Sequence, residues 1–150
     1  MPGGPLRIGG CEIPFDRHLA GHSDADVLLH AVTDALLGAA AQGDIGEWFP
    51  NTDPAHRGRD SRQLLRIAYD RVRELGYQLV NLDCVVHAEL PKLAPYKTGI
   101  RQQIADLLAV SPDQVSLKGK TGEGLGAVGR GEMIAAQCVV LLERVEPEKP

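Results

Sequence analysis

Two histidines, a serine and two aspartates fall within the segment GHSDADVLLH, residues 21–30. Asp26, His30 and Asp34 are separated by intervals of four residues, so on a helix the three side chains lie on one face. A histidine between two carboxylates has one ring nitrogen held by a partner and can ligate a metal through the other. This spacing predicts either a metal ligand at His30 or an ordinary structural histidine.

A second feature of this segment is the polar pair that precedes the predicted helix. His22 and Ser23 stand where the backbone N–H groups of a helix N-terminus are unpaired, and such groups attract anions such as phosphate. Ser23 or Asp24 is equally placed to cap the helix, with Asp26 inside its first turn. Phosphate binding and simple capping are both compatible with the sequence here.

Carboxylates and glycines also follow the predicted helix, in GDIGEWFPNTDP at residues 43–54. Gly46 permits the backbone to approach a ligand closely, and Asp44 supplies a carboxylate that can hold a diol or a divalent cation. The alternative is a solvated Ω-loop with Trp48 and Phe49 as its hydrophobic anchor. The aspartates alone do not decide between the two.

A glycine-rich segment near the C-terminus, KGKTGEGLGAVGRGE at residues 118–132, is typical of phosphate binding. Backbone amides of such loops cradle phosphates, while lysine, arginine and threonine side chains supply further donors. Glu123 is placed to bind a cation that bridges two phosphates. The glycine spacing matches neither a P-loop nor a Rossmann fingerprint. The donor side chains are Lys118, Lys120, Thr121 and Arg130.

One further cation, Lys92, lies between two prolines in ELPKLAPY, residues 89–96. The prolines predict a rigid loop that exposes the ammonium group, although a lone lysine is most often just a solvated side chain. The chain has no GxSxG elbow, no HExxH motif and no Ser-His-Asp order. The sequence therefore does not indicate serine-triad or zincin chemistry.

Length, charge and cysteine content limit the class of protein. The 150 residues correspond to a single domain at residues 1–150, and a net charge of −4 argues against sequence-independent nucleic-acid binding. No membrane span or signal peptide is visible, and three widely spaced cysteines favour reduced thiols. We expect a cytoplasmic protein. The cysteines are Cys11, Cys84 and Cys138, the last two in apolar runs typical of buried strands.

Alternating helices and strands must position these polar segments. Hydrophobic periodicity predicts helices over 24–42, 61–75 and 98–109, and strands within 1–14, over 77–90, within 111–121 and over 133–145. The first helix is expected to bury Val27, Leu28, Ala31, Ala35, Leu36 and Ala39, and the second Leu64, Leu65, Ala68 and Val72.

This order of elements predicts an α/β fold, more closely an α+β sandwich with one sheet and helices packed on one face. The opposite face of that sheet needs a cover. Because the last strand is rich in Ala, Cys, Val and Leu, we expect a partner subunit to cover it.

Three segments together, AGHSDADVLLHAVTDALLGAAAQGDIGEWFPNTDP, ELPKLAPY and KGKTGEGLGAVGRGE, resemble the 2-C-methyl-D-erythritol 2,4-cyclodiphosphate synthases of the non-mevalonate isoprenoid pathway. The resemblance runs from about residue 3 to residue 144. It implies an α/β homotrimer with active sites between neighbouring subunits. The implied substrate is a small-molecule nucleotide, 4-diphosphocytidyl-2-C-methyl-D-erythritol 2-phosphate. Its 2-phosphate attacks the β-phosphate, which releases CMP and closes a cyclic diphosphate.

The resemblance also implies roles for individual residues. His22 and Ser23 match residues that hold the methylerythritol phosphate, and Lys120 and Thr121 complete the implied catalytic set. His30 matches a zinc ligand, and Glu123 matches the ligand of a second cation, magnesium or manganese, at the diphosphate. The implied substrate-binding residues are His22, Ser23, Asp44, Ile45, Gly46, Phe49, Asn51, Asp53, Ala88, Pro91, Lys92, Leu93, Ala94, Lys120, Thr121, Gly122, Glu123 and Arg130. Arg130 and Glu132 match a pair beside an axial cavity that takes an isoprenoid diphosphate.

The chain departs from the family pattern at its start. Family members open with a strand carrying an Asp-x-His pair of zinc ligands, which this sequence lacks before residue 3, and we expect an upstream segment to supply it. Asn51 replaces a common aspartate, and Ala127 replaces a larger residue. Two alternatives remain open: a non-catalytic trimer that binds cytidine nucleotide or isoprenoid diphosphate, and a metal-dependent phosphohydrolase.

Overall fold

The fold is built from a short hairpin, a three-stranded sheet and three long helices. The computed structural model describes residues 5–15, 26–50 and 60–146. Their elements are β1 (Leu6–Ile8), β2 (Cys11–Ile13), α1 (Val27–Ala39), α2 (Ile45–Trp48), α3 (Ser61–Glu74), β3 (Tyr77–His87), α4 (Lys97–Leu108), β4 (Val115–Lys120), α5 (Gly126–Gly129) and β5 (Ala135–Arg144), with single 3₁₀ turns at Ala94–Tyr96 and Pro112–Gln114. No helix in these ranges is long and apolar enough to cross a membrane.

The hairpin follows from two consecutive glycines. Strands β1 and β2 pair antiparallel, with Ile8 opposite Cys11. The two residues between them, Gly9 and Gly10, have φ of +63° and +80°, and a two-residue hairpin loop of this kind needs positive φ at both positions. The predicted short strands at the start of the chain are thus confirmed. The described strands form two sheets, so the prediction of one sheet was wrong: the tight turn pairs β1 and β2 with each other.

The larger sheet has the strand order β4-β3-β5. Strand β3 pairs with β4 in parallel, with Leu82 opposite Val115 at one end and His87 opposite Lys120 at the other. Helix α4 makes the crossover between these two strands, as a parallel pair requires. Strand β5 pairs antiparallel with the other side of β3. Residues 87 and 120 therefore end neighbouring strands at the same edge of the sheet.

Helices α1, α3 and α4 supply the other half of one hydrophobic core, so the mixed α/β single-domain fold is confirmed. The buried face of α3 is the predicted one, with Ser61 and Tyr69 added. Members of the core from the sheet are Leu79, Leu82, Cys84, Val86, Val115 and Leu117, and members from the helices include Leu29, Val32, Leu36, Leu65, Val72, Ile100 and Ile104.

Helix α1 is shorter than predicted and turned differently. It begins after Asp26, whose carboxylate accepts from the N–H of Leu29, so Asp26 is the N-cap and the prediction that it lies in the first turn was wrong. The buried side chains are Leu28, Leu29, Val32, Thr33, Leu36 and Leu37. Leu28 and Leu36 are buried as expected, whereas Val27, Ala31 and Ala35 are only half-buried and Ala39 is exposed. The buried face of α1 takes larger side chains in place of the alanines, because these bury more apolar surface.

Strand β5 has two faces of different exposure. Ala136, Cys138, Val140 and Leu142 pack against the core, whereas Val139 and Leu141 between them are 74% and 57% exposed. Cys138 lies directly opposite Cys84, with the two Sγ atoms 3.4 Å apart. Hydrogen bonding with Cys138, together with burial, raises the pKa of the Cys84 thiol. Both thiols are free, as is Cys11.

Candidate functional site

The N-terminal half of the candidate site is organised by Asp26. Its buried carboxylate accepts hydrogen bonds from the N–H groups of Gly9 at 2.9 Å, Gly10 at 2.7 Å and Leu29 at 2.9 Å. One side chain therefore ties the hairpin turn to the first turn of α1. His30 lies one turn further along the same helix.

His30 is held by a residue that the sequence analysis did not single out. The Nε2 atom of His30 lies 2.9 Å from Oγ of Ser61, which is fully buried at the start of α3. Asp60, the residue before it, caps α3 through the N–H of Arg62 and pairs with the Arg62 guanidinium. Ser61 thereby orients the His30 ring. In the sequence, Ser61 is simply a serine next to a helix N-cap, a pattern that indicates capping and nothing further.

Asp34 has a different role from the predicted one beside His30. Its Oδ1 accepts from the N–H of Ile45 at 2.7 Å and so attaches the segment after α1 to that helix. Asp44 caps α2 by accepting from the N–H of Glu47 at 2.9 Å. Asp44 and Gly46 are exposed and Phe49 is buried, so the predicted aromatic anchor is confirmed for Phe49. This geometry presents Asp44 on a short helix instead of an open loop.

The proline-rich loop follows directly after β3. Its Leu90–Pro91 peptide bond is cis. Ala88 and Leu93 are buried, whereas Lys92 is exposed as predicted. A Cβ on Gly119 would lie 3.7 Å from Leu93, so this loop packs directly beside β4.

The glycine-rich loop follows β4 and meets the proline-rich loop. Ala88 donates its N–H to the carbonyl of Lys120 at 2.9 Å, and Gly122 donates its N–H to Oε2 of Glu89 at 2.9 Å. Lys120, Thr121 and Glu123 are exposed. The structure thus brings the predicted residues 88–94 and 120–123 together. Glu89, which links the two loops, lies within this predicted segment but was not singled out, because a lone carboxylate in a loop has no distinguishing pattern.

Two of the predicted cations have carboxylate partners in the structure. Arg130 forms a two-point ion pair with Glu132, with nitrogen–oxygen distances of 2.9 and 3.2 Å. Lys118 pairs with Asp83 on the outer face of the sheet at 2.8 Å, which lowers the pKa of the Asp83 carboxyl. Lys118 is therefore held on the sheet, and Lys120 is the lysine at the start of the loop.

A zinc site of the predicted kind uses three protein ligands. Residues 5–15, 26–50 and 60–146 contain no group of three His, Cys, Asp or Glu side chains that could hold a metal ion. The described residues alone do not fit such a site around His30. Glu123 does fit a cation of the magnesium type, because such ions are commonly bound by one carboxylate together with substrate phosphates. The predicted site residues His22, Ser23, Asn51 and Asp53 lie outside the described residues.

Known proteins are similar to this chain over nearly its whole length. The model of the YgbB family matches residues 1–143. The 2-C-methyl-D-erythritol 2,4-cyclodiphosphate synthase of Laribacter hongkongensis is 57% identical over 95% of this chain and 88% of its own length. A solved synthase of the same name, in a CDP-bound form, superposes with a TM-score of 0.88 at 38% identity, over 95% of this chain and 93% of that one. The bifunctional IspDF of Campylobacter jejuni superposes with a TM-score of 0.93 at 41% identity. The superposition covers 97% of this chain and 40% of that protein.

Proposed function

Because this chain belongs to the YgbB family, together with curated 2-C-methyl-D-erythritol 2,4-cyclodiphosphate synthases, we propose that it cyclises 4-diphosphocytidyl-2-C-methyl-D-erythritol 2-phosphate and releases CMP. Its activity is that of a cyclodiphosphate synthase of the non-mevalonate pathway. The observation that carries this conclusion is 57% identity to such an enzyme over 95% of the chain. The relatives give no support to the alternative of a non-catalytic binding protein. The reaction class is a phosphorus–oxygen lyase.

The chemistry asks for positioning more than for a strong base. An oxygen of the 2-phosphate attacks the β-phosphorus, and the bond from that phosphorus to the CMP phosphate oxygen breaks. The nucleophile is already an anion, so the site must orient two phosphates and neutralise charge on the five-coordinate phosphorus. The ammonium of Lys120 and the hydroxyl of Thr121 are exposed donors at the start of the glycine-rich loop. His22 and Ser23 are the residues proposed to hold the methylerythritol phosphate.

The remaining proposed roles divide between residues 44–53, after α1, and the proline-rich and glycine-rich loops. Asp44, Ile45, Gly46 and Phe49, with Asn51 and Asp53, are proposed to contact the erythritol part. Ala88, Pro91, Lys92, Leu93 and Ala94 are proposed to hold the cytidine, and Gly122 and Arg130 to lie along its phosphates.

Metal ions are proposed at two positions. Glu123 would hold magnesium or manganese at the diphosphate, and the ion would neutralise phosphate charge there. His30 is the proposed zinc ligand within the described residues, in a site that needs further ligands. Because the described residues do not complete that site, no step of the reaction is assigned to zinc.

A homotrimer with active sites between subunits is proposed as the assembly. Its support is the outer face of β5, where Val139 and Leu141 expose apolar surface on an otherwise regular strand. Burying such side chains against another subunit is favourable by about 25 cal/mol per Å² of apolar area. The proposed location is the bacterial cytoplasm, in keeping with the three free cysteines.

Phosphorus NMR of the reaction mixture tests the proposal. We expect the substrate to yield CMP and a cyclic diphosphate in equal amounts, without free phosphate. Inorganic phosphate as the main product would instead establish a phosphohydrolase, and binding without turnover would establish a nucleotide-binding protein. A chelator is expected to stop CMP release, and zinc together with magnesium or manganese is expected to restore it.

A further inference from the structure

The contact between the loop 88–94 and the loop 120–123 continues the pairing of β3 with β4, but with a side-chain acceptor in place of a backbone carbonyl. In a parallel ladder, a residue donates its N–H to one carbonyl of the neighbouring strand and accepts from the N–H two residues further along. Ala88 donates to the carbonyl of Lys120 at 2.9 Å, so a continuing ladder would bring the N–H of Gly122 to the carbonyl of Ala88. The N–H of Gly122 instead donates to Oε2 of Glu89 at 2.9 Å. A side-chain carboxylate therefore replaces the next backbone acceptor.

Gly122 is also confined on its other side. A Cβ built at this position would lie 2.6 Å from the nitrogen of Gly129 and 2.9 Å from the carbonyl oxygen of Leu125. The Gly122 carbonyl accepts from the N–H of Leu125 at 2.9 Å. The segment that leads into α5 therefore holds Gly122 from one side, and Glu89 holds it from the other.

We propose that Glu89 is a positioning residue for the reaction, which sets the loop 120–123 at a fixed separation from the loop 88–94. The inference rests on the proposed function, in which one loop takes the cytidine and the other takes its phosphates. The hydrogen bond from the Gly122 N–H to Oε2 of Glu89 joins the two loops and limits the movement of one against the other. A prealigned pair of loops binds the nucleotide without the cost of ordering them.

The contact also decides which groups of the glycine-rich loop meet the phosphates. The Gly122 N–H is taken by Glu89, and the Glu123 N–H donates to Oγ1 of Thr121 at 3.2 Å. These two amides are not the phosphate cradle that the glycine pattern suggests. The Thr121 hydroxyl keeps its own proton to donate, and Lys120 keeps its ammonium group, so both side chains can donate to the phosphates.

Three substitutions separate the acceptor from its charge. Glu89→Gln keeps an oxygen acceptor of the same length and removes the charge, Glu89→Ala removes both, and Glu89→Asp keeps the charge but is one methylene too short. Binding of cytidine diphosphate is measured by calorimetry, and KM and kcat with the full substrate. We expect Glu89→Ala and Glu89→Asp to weaken cytidine diphosphate binding and raise KM about tenfold, with kcat changed less, and Glu89→Gln to stay within about threefold of the wild type.

NMR reads the contact directly, without turnover. Labelling threonine carbonyls with ¹³C and glycine nitrogens with ¹⁵N selects the two Thr-Gly pairs of the chain, Thr98–Gly99 and Thr121–Gly122. Gly99 lies in α4 with open space where a Cβ would stand, so its resonance reports that the fold is intact. We expect the Gly122 amide proton to shift upfield in Glu89→Ala and Glu89→Asp, and to shift less in Glu89→Gln, while Gly99 stays unchanged.

The outcomes divide clearly. If Glu89→Ala binds cytidine diphosphate as well as or more tightly than the wild type while Gly122 shifts, the carboxylate merely occupies an anion position and the proposal is wrong. An unchanged Gly122 resonance in Glu89→Ala would also overturn it. Failure of the wild type to form cyclic diphosphate would refute the proposed function alone, because cytidine diphosphate binding and the Gly122 shift are measured without the reaction.

Discussion

Asp26 offers the sharpest test of how the N-terminal cluster is held together. Its buried carboxylate accepts from three backbone N–H groups, on Gly9, Gly10 and Leu29, and these belong to two different elements. Asp26→Asn is nearly isosteric but leaves a single oxygen acceptor. Since Oδ1 accepts from both Gly9 and Leu29, the amide oxygen can keep those two bonds, while the new NH₂ group faces the N–H of Gly10.

The magnitude follows from the number of bonds lost. Asp26→Asn loses one charge-assisted hydrogen bond and places two donors together, which costs about 2 kcal/mol of unfolding free energy. Asp26→Ala loses all three bonds and the N-cap, for about 4 kcal/mol. With a urea m-value of about 2 kcal/mol/M, Asp26→Asn lowers the unfolding midpoint by about 1 M.

Urea unfolding followed by far-UV circular dichroism measures this, at one protein concentration because assembly contributes to stability. Asp70→Asn is the matched control, since Asp70 is exposed on α3 and its change is expected to stay within about 0.5 kcal/mol. A midpoint for Asp26→Asn within about 0.2 M of the wild type would refute the reasoning, because the three amides would then not depend on the carboxylate.

Further predictions concern the loops, the acid limit of stability, the His30 ring and the outer strand. Gly122→Ala forces a Cβ to 2.6 Å from the Gly129 nitrogen, so we expect at least tenfold weaker binding of cytidine diphosphate, whereas Gly99→Ala, with open space around it, binds normally; equal affinities would contradict the close packing. The Arg62 hydrogen bond, although partly opposed by burial, lowers the pKa of Asp60, so this carboxylate stabilises the fold above about pH 4 and the contribution is lost as the pH falls through the lowered folded-state pKa. In urea midpoints measured from pH 6 to pH 2, Arg62→Gln should therefore lose less stability on acidification than the Arg66→Gln control, and parallel curves would count against the pair. Ser61→Ala removes a hydrogen-bond partner of His30 Nε2 and is expected to slow CMP release about tenfold. The control Ser116→Ala, on β4, is expected to leave the rate unchanged, and an unchanged rate in Ser61→Ala would argue against an orienting role for Ser61. Val139→Glu places a charge on an exposed apolar strand face and should reduce self-association in sedimentation velocity without unfolding the chain, and an unchanged sedimentation coefficient would argue against β5 as the interface.

Local patterns were enough for much of the fold. The glycine- and proline-rich start of the chain predicted a turn and short strands, and the apolar stripe of the second predicted helix identified the buried face of α3. Turn geometry and helical periodicity act over a few residues, so they can be read without knowing what lies across the core. The motif strings were likewise sufficient for the resemblance to the synthases, which the comparisons confirmed.

Other features depended on residues that are distant in sequence. The alanine-rich stripe of the first predicted helix was read as its buried face, yet α1 turns its larger Leu and Val side chains to the core, because the sheet decides which face gains most from burial. Asp26 was interpreted as part of a first turn, and only the approach of the hairpin amides makes it the cap and the clamp of two elements.

The candidate site likewise has features that short segments of sequence indicate and features that only the tertiary structure reveals. Residue types and spacing pointed to phosphate chemistry, to Lys120 and Glu123, and to His30, because these signals are contained in short segments. The partners that orient them, Ser61 for His30 and Glu89 for Gly122, lie 31 and 33 residues away along the chain. A single hydrogen bond leaves no periodic trace in a sequence, so only the packing of α3 on α1 and the pairing of β3 with β4 bring these groups within reach of each other.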